Sequence, residues 1–131
     1  MNDSDRDPSQ WVQRVEGDFP TRLAEDEFYR ALASHHRRRV LYYLLEENDS
    51  SVSELATVLS GWEATTTETM QTPADRSEHL LSLSHNHLPQ LANAGLIDYD
   101  SQTGSVQLDS LHPQVEGIIR RSVRAEQPDD A

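Results

Sequence analysis

Apolar residues recur along this chain first at helical spacing and then at alternate positions, and the change marks the fold. From Asp26 to Ala33 the pattern predicts a first helix with Phe28, Leu32 and Tyr29 inward. Ser34 is placed to cap a second helix over His35 to Glu47, with Val40, Leu41, Leu44 and Leu45 as its apolar stripe. Asn48 to Ser51 reads as a turn. Val52 and Ser53 open a third helix that buries Leu55, Ala56 and Leu59 and ends at Gly61 and Trp62. The stretch 64–75, ATTTETMQTPAD, is polar, rich in threonine, and reads as an insertion.

A fourth helix is expected over 77–94, with Leu81, Leu88 and Leu91 at helical spacing and Leu80 widening the stripe. Pro89 sits inside it. Proline removes one backbone hydrogen bond and presses on the previous turn, so a kink is expected near His85. Gly95 then suits a left-handed helix stop. Leu96, Ile97 and Tyr99 favour a strand, Gln102 to Gly104 a tight turn, and Val106 and Leu108 a returning strand. Pro113 fits the first turn of a last helix, on which Val115, Ile118, Ile119 and Val123 share a face.

This order predicts a mainly α fold with a small antiparallel β-hairpin, a winged helix-turn-helix. The domain spans 25–124. An acidic segment at 1–24 and an acidic tail at 125–131 read as disordered, although Trp11, Val12 and Phe19 offer a short docking element.

The segment SHNHLPQLANAGLIDYD, from Ser84, resembles the recognition helix and wing of ArsR-type transcriptional regulators. Their common run is S-x-H-L-x-x-L-x-x-A-G-L-I/V, matched by His87, Leu88, Leu91, Ala94, Gly95, Leu96 and Ile97, with His85 in place of the first serine. The upstream ALASHHRRRVLYYLLEENDSSVSELATVL is similar to the front half of that fold. The runs "A-L-x-x-x-R-R-R", "L-Y-Y-L" and "H-N-H-L-P-x-L-A-x-A-G-L/V-I/V" also resemble a group of haloarchaeal winged-helix proteins of uncharacterised function. The likeness covers Asp26 to Arg124. It implies a DNA-binding regulator, a homodimer, and a structural role for His87 and for an arginine of the 37–39 run. The 64–75 insertion departs from the ArsR pattern, and that family's metal-sensing thiolates are absent.

Cysteine is absent, which excludes disulfides and thiolate metal sites. The chain has no apolar run long enough for a membrane span or a signal-peptide core, so a cytoplasmic protein is expected. The 131 residues suit one domain, with 35% hydrophobic residues and a modest core. Charge changes the picture more. There are 23 acidic residues against 11 basic ones, and every basic residue is arginine. Carboxylates keep a hydrated shell in molar salt, and lysine's long stem adds apolar area that salt drives to associate, so a halophilic cytoplasm is expected. Such acidity argues against DNA binding at ordinary ionic strength. At about 1 M salt the screening length falls to about 3 Å, and local contacts decide.

The fourth helix is the candidate DNA reader, double-stranded DNA being the expected partner. Its stripe leaves Ser82, His85, Asn86, Gln90 and Asn93 outward, and asparagine and glutamine pair with adenine edges. Arg76 and His79 near its start suit phosphate. Arg37, Arg38 and Arg39 form the strongest basic cluster, at a helix N-terminus where the dipole disfavours positive charge. Phosphate contact would explain that placement, and so would salt bridges to Glu46, Glu47 or the acidic N-terminal segment. Phe28, Leu32, Val115, Ile118, Ile119 and Val123 are the candidate dimer contact, the alternative being that they close the monomer core. The wing has no arginine and carries Asp98 and Asp100, so reading is expected to rest on helices.

No metal site is expected. His85 and His87, two apart on a helix, point about 200° from each other, and His35 with His36 diverge likewise. No nucleophile with a positioned base, no phosphate loop and no cofactor motif is recognisable, so no enzyme activity is expected. The alternative function is a protein-interaction module, which the arginine-free wing and the net charge also fit.

Overall fold

The computed structural model describes residues 26–126. Its elements are helix α1 (Asp26–Leu32), α2 (His35–Glu47), strand β1 (Asp49–Ser51), α3 (Val52–Thr67), α4 (Pro73–Ser82), a π-helical turn (Leu83–His87), α5 (Leu88–Asn93), β2 (Ile97–Asp100), β3 (Ser105–Leu108) and α6 (Pro113–Glu126). The sheet is antiparallel with strand order β1-β3-β2. A mainly helical domain with this small sheet is a winged helix-turn-helix. Trp11, Val12, Phe19 and the expected 1–24 segment lie outside the described residues.

The expected hairpin gains a third strand. Asp49, Ser50 and Ser51, read as part of a turn, pair with Gln107, Val106 and Ser105. Nothing in D-S-S favours a strand. It extends because β3 has an open outer edge whose N–H and C=O groups need partners. Asn48 makes the bend at φ 75°. Leu108 N–H donates to the Asn48 carbonyl and Val52 N–H to the Gly104 carbonyl, both at 2.9 Å.

Caps explain most helix starts. Ser34 Oγ accepts from Arg37 N–H at 3.3 Å, and Ser51 Oγ from Glu54 N–H at 3.0 Å. The 64–75 stretch is not a continuous loop. Helix α3 runs past Gly61 and Trp62 to Thr67, and α4 starts at Pro73, so the connection is 68–72. Threonine is a poor helix former, but here the hydroxyls of Thr65, Thr66 and Thr67 donate to the carbonyls of Gly61, Trp62 and Glu63. Thr72 then forms a capping box: its Oγ1 accepts from Asp75 N–H at 3.1 Å, and Asp75 Oδ2 accepts from Thr72 N–H at 2.9 Å.

The predicted irregularity near His85 takes the form of a π-turn. Leu88 N–H reaches back five residues to the Leu83 carbonyl. Pro89 has no N–H for the His85 carbonyl and its ring presses on that turn, so widening relieves both. One extra residue rotates the upstream helix by about 100°. Counting back from Leu88, a regular helix would bring Leu81 and Ser84 inward. The π-turn brings Leu83 and Leu80 inward instead: Leu83 is fully buried and Leu81 is 61% exposed. The stripe through Leu81 is therefore corrected to Leu80, Leu83, Leu88 and Leu91.

At its far end the run closes in a Schellman motif. Gly95 at φ 77° donates to the Ala92 carbonyl and Leu96 N–H to that of Leu91, both at 3.0 Å. Ile97, Val106 and Leu96 carry the core onto the sheet. Tyr29, expected inward, is 56% exposed. The dimer assignment is also corrected. Phe28, Val115, Ile119 and Val123 are buried within this one chain, with Leu32 and Ile118 half-buried beside them. An amphipathic helix needs an apolar partner, and α2 supplies it to α6.

Leu83→Ala is expected to cost about 2–5 kcal/mol of unfolding free energy and Leu81→Ala less than about 0.5 kcal/mol. Denaturant titration of both variants checks this, and equal losses would contradict the π-turn phase.

Candidate nucleic-acid interface

Once Leu83, His87, Leu88 and Leu91 are turned inward, the opposite side of the 73–93 helical run faces solvent. Ser82, His85, Asn86 and Asn93 are exposed there and Gln90 is half-buried. Gln90 Nε2 donates to Asn86 Oδ1 at 3.1 Å, so the two amides hold one another in place. No carboxylate occurs from His79 to Ile97, although the chain carries a net −12. Ser82, His85, Asn86, Gln90 and Asn93 therefore offer hydrogen-bonding groups without a carboxylate among them, with exposed Glu78 one turn before Ser82, and the π-turn adds Leu81.

Arg76 lies at the start of this run and is already engaged. Its Nε donates to Thr57 Oγ1 at 2.9 Å, and its Nη2 to the carbonyl and hydroxyl of Ser53 at 2.8 Å. It ties α4 to α3. His79 turns toward Glu63, with Nε2 4.0 Å from Oε1, rather than outward to phosphate.

Phosphate contact by Arg37, Arg38 and Arg39 is corrected. Arg37 is buried, donating through Nε to the Ala31 carbonyl at 2.9 Å and through Nη2 to that of Arg30 at 2.8 Å. Arg38 Nη1 donates to the Leu32 carbonyl at 2.7 Å, and its Nη2 pairs with Glu126. These are the last carbonyls of α1, which have no partner within their own helix. The run is misplaced for the dipole of α2 but well placed for the C-terminus of α1. Arg39 is buried with its guanidinium 5.2 Å from the Trp62 ring and its Nε 3.7 Å from Glu126 Oε1. The salt-bridge partner is thus Glu126, which falls in the stretch expected to be a disordered tail and instead ends α6.

The expected divergence of His35 from His36 does not hold, because their rings lie side by side on α2, and the fold brings His79 and His87 to them from other helices. Ring centroids of His36 and His87, and of His36 and His79, are 5.6 Å apart, and His35 stacks 4.3 Å from His36. His36 Nε2 is 3.3 Å from Glu63 Oε1. Arg37 Nη1 donates to His87 Nδ1 at 3.1 Å, which requires that nitrogen to be unprotonated. Burial, then the positive charge of Arg37, push the His87 imidazole down to about 4. Burial also lowers His36, against the opposing bond from Glu63. Sequence spacing could not reveal this cluster, because its members come from different helices. Among the described residues no group of three His, Cys, Asp or Glu side chains is set to hold a metal ion.

The wing is a compact turn. Asp100 Oδ1 accepts from Gln102 N–H at 2.9 Å and Thr103 N–H at 3.4 Å, which holds its carboxyl below the usual range. Gly104 closes it at φ 80°.

Residues 29–107 match a family described as a domain of unknown function (DUF7344). That match spans more than half of the chain. The protein belongs to this family. No curated protein and no solved structure matches the chain. No helix among the described residues is long and apolar enough to cross a membrane.

The depressed His87 makes a pH prediction. Unfolded, this group binds a proton near pH 6.5; folded, it resists until about pH 4. Its contribution is therefore full above pH 6.5 and is lost as pH falls toward 4. The loss is on the order of 2 kcal/mol, once the solvent that still screens the ring is discounted. His87→Asn, which keeps an acceptor near the Nδ1 position, is expected to flatten this slope. Denaturant midpoints measured across the range check it, and an unchanged slope contradicts it.

Proposed function

We propose that this protein is a DNA-binding transcriptional regulator that reads duplex DNA with the outer face of the 73–93 helical run. The observation that carries the reading is the carboxylate-free face from His79 to Ile97 on the second helix of a helix-turn-helix pair, in a chain with 23 acidic residues. A polyanion is repelled by carboxylates, and this face spares it that repulsion while offering amide and hydroxyl groups to base edges. The lysine-free composition supports a cytoplasm holding molar salt, in which the remaining acidity is screened within about 3 Å. The resemblance to ArsR-type regulators points the same way. A second copy would extend the site to two half-sites, using a surface other than the buried face of α6.

A second reading, a protein-interaction module, is favoured by the inward commitment of Arg37 and Arg39 and by the arginine-free wing flanked by Asp98 and Asp100.

Fluorescence anisotropy against the gene's own upstream DNA and a scrambled control, in about 2 M KCl, tests the first reading. Binding that prefers the upstream DNA is expected, and Gln90→Ala with Asn93→Ala is expected to weaken it by at least about tenfold. Failure to bind either duplex, with the fold verified by circular dichroism in the same salt, would favour the interaction module.

A further inference from the structure

The hydrogen bond between Gln90 and Asn86 decides more than the position of two side chains. Because Gln90 Nε2 donates to Asn86 Oδ1, the Asn86 amide nitrogen keeps both of its N–H groups and the Gln90 carbonyl oxygen both of its lone pairs, and these are the groups the pair offers most freely to a partner. Along the helix they present a donor and then an acceptor. In the major groove adenine offers the complement, the N7 acceptor beside the N6 amino donor. Guanine offers two acceptors, N7 and O6, and would set its O6 against the Gln90 oxygen. Cytosine offers a donor alone and thymine an acceptor beside a methyl group.

Two further observations agree. The commonest specific contact to guanine is a bidentate arginine or lysine. The chain has no basic residue of either type from Ser77 to Ile119, so neither the face nor the wing carries one. His85 is exposed on the same face, and one ring nitrogen supplies one bond rather than a pair. Leu81, rotated outward by the π-turn to 61% exposure, sits four residues before His85 and offers the apolar contact that a thymine methyl accepts.

We infer that the 73–93 run reads A·T base pairs in the major groove, with the Asn86–Gln90 amide pair taking adenine and Leu81 the methyl of a thymine. The inference rests on the DNA-binding reading and deepens it. The amide pair is built for its partner before DNA arrives, so little side-chain ordering remains to be done on binding.

The test uses the full chain and three duplexes of about two helical turns: alternating A·T, alternating G·C, and the A·T duplex with 7-deazaadenine replacing adenine. Anisotropy titrations run from about 0.2 to about 2 M KCl. The A·T duplex is expected to bind at least about tenfold more tightly than the G·C duplex, and 7-deazaadenine, which lacks the N7 acceptor, to lose about tenfold. Asn86→Asp replaces the donor with an acceptor on an exposed position and is expected to remove the preference with the circular dichroism unchanged. Leu81→Ala is expected to narrow the preference for thymine over uracil, which lacks the methyl group. Equal binding to A·T and G·C duplexes, or a G·C preference, overturns the inference while the DNA-binding reading stands. An A·T preference insensitive to both 7-deazaadenine and Asn86→Asp also overturns it, because groove shape and not the amide pair would then be read. Binding to none of these duplexes overturns the inference, and failure on the upstream DNA as well overturns the DNA-binding reading.

Discussion

Pro89 has no backbone N–H to give the carbonyl of His85, and the helix around it accommodates that loss by widening into one π-turn, Leu83–His87. The consequence reaches past a single hydrogen bond. Everything upstream of the turn rotates relative to everything downstream. That rotation brings Leu83 and Leu80 to the core, puts Leu81 in solvent, and aligns Ser82, Asn86 and Gln90 along one outward line. It also presents His87 to Arg37. The core packing and the outer face of this helix are two results of the same missing donor.

Arg37 is the second constraint, and it shows how a buried cation can be tolerated without a carboxylate. Its charge lies against the carbonyls of Arg30 and Ala31 at the end of α1 and against an imidazole held neutral. Helix C-termini carry partial negative charge, so the guanidinium completes α1 while anchoring α2. Arg38 and Arg39 extend the same logic to α6 through Glu126. Arginine suits this task because its planar fork reaches several acceptors at once. The strongest basic run in the chain is thereby committed to the fold.

With the arginine run turned inward and Arg76 tied to α3, the attraction for a polyanion cannot come from an outward basic cluster on α2. What distinguishes the 79–97 surface is the absence of repulsion together with directional hydrogen-bonding groups. A site of that kind contributes specificity more than affinity. This surface and the winged-helix frame that presents it are what support the DNA-binding proposal.

Local chemistry is what the sequence determined by itself. Ser34, Gly95, Gly104 and Pro113 place element ends through their own caps and backbone preferences, so α2, the Schellman stop, the wing turn and the start of α6 were legible in advance. The outward polar positions of the 73–93 run were legible too, because they follow from an apolar stripe whose downstream part, Leu88 and Leu91, is regular. Tertiary structure decided the rest. Strand β1 exists only because the edge of β3 needs a partner, and no property of Asp49, Ser50 or Ser51 announces it. The continuation of α3 through Thr65, Thr66 and Thr67 depends on hydroxyl bonds that a propensity scale counts against it. The stripe on α6 closes the core because α2 is there to receive it. The arginines, the histidines and Glu63 meet across helices far apart in sequence, and their roles follow from that meeting. Period and capping act within a few residues of chain, whereas burial, pairing and neutralisation depend on which surfaces face one another, and only the folded packing of α1, α2, α3 and the π-turned helix settles that.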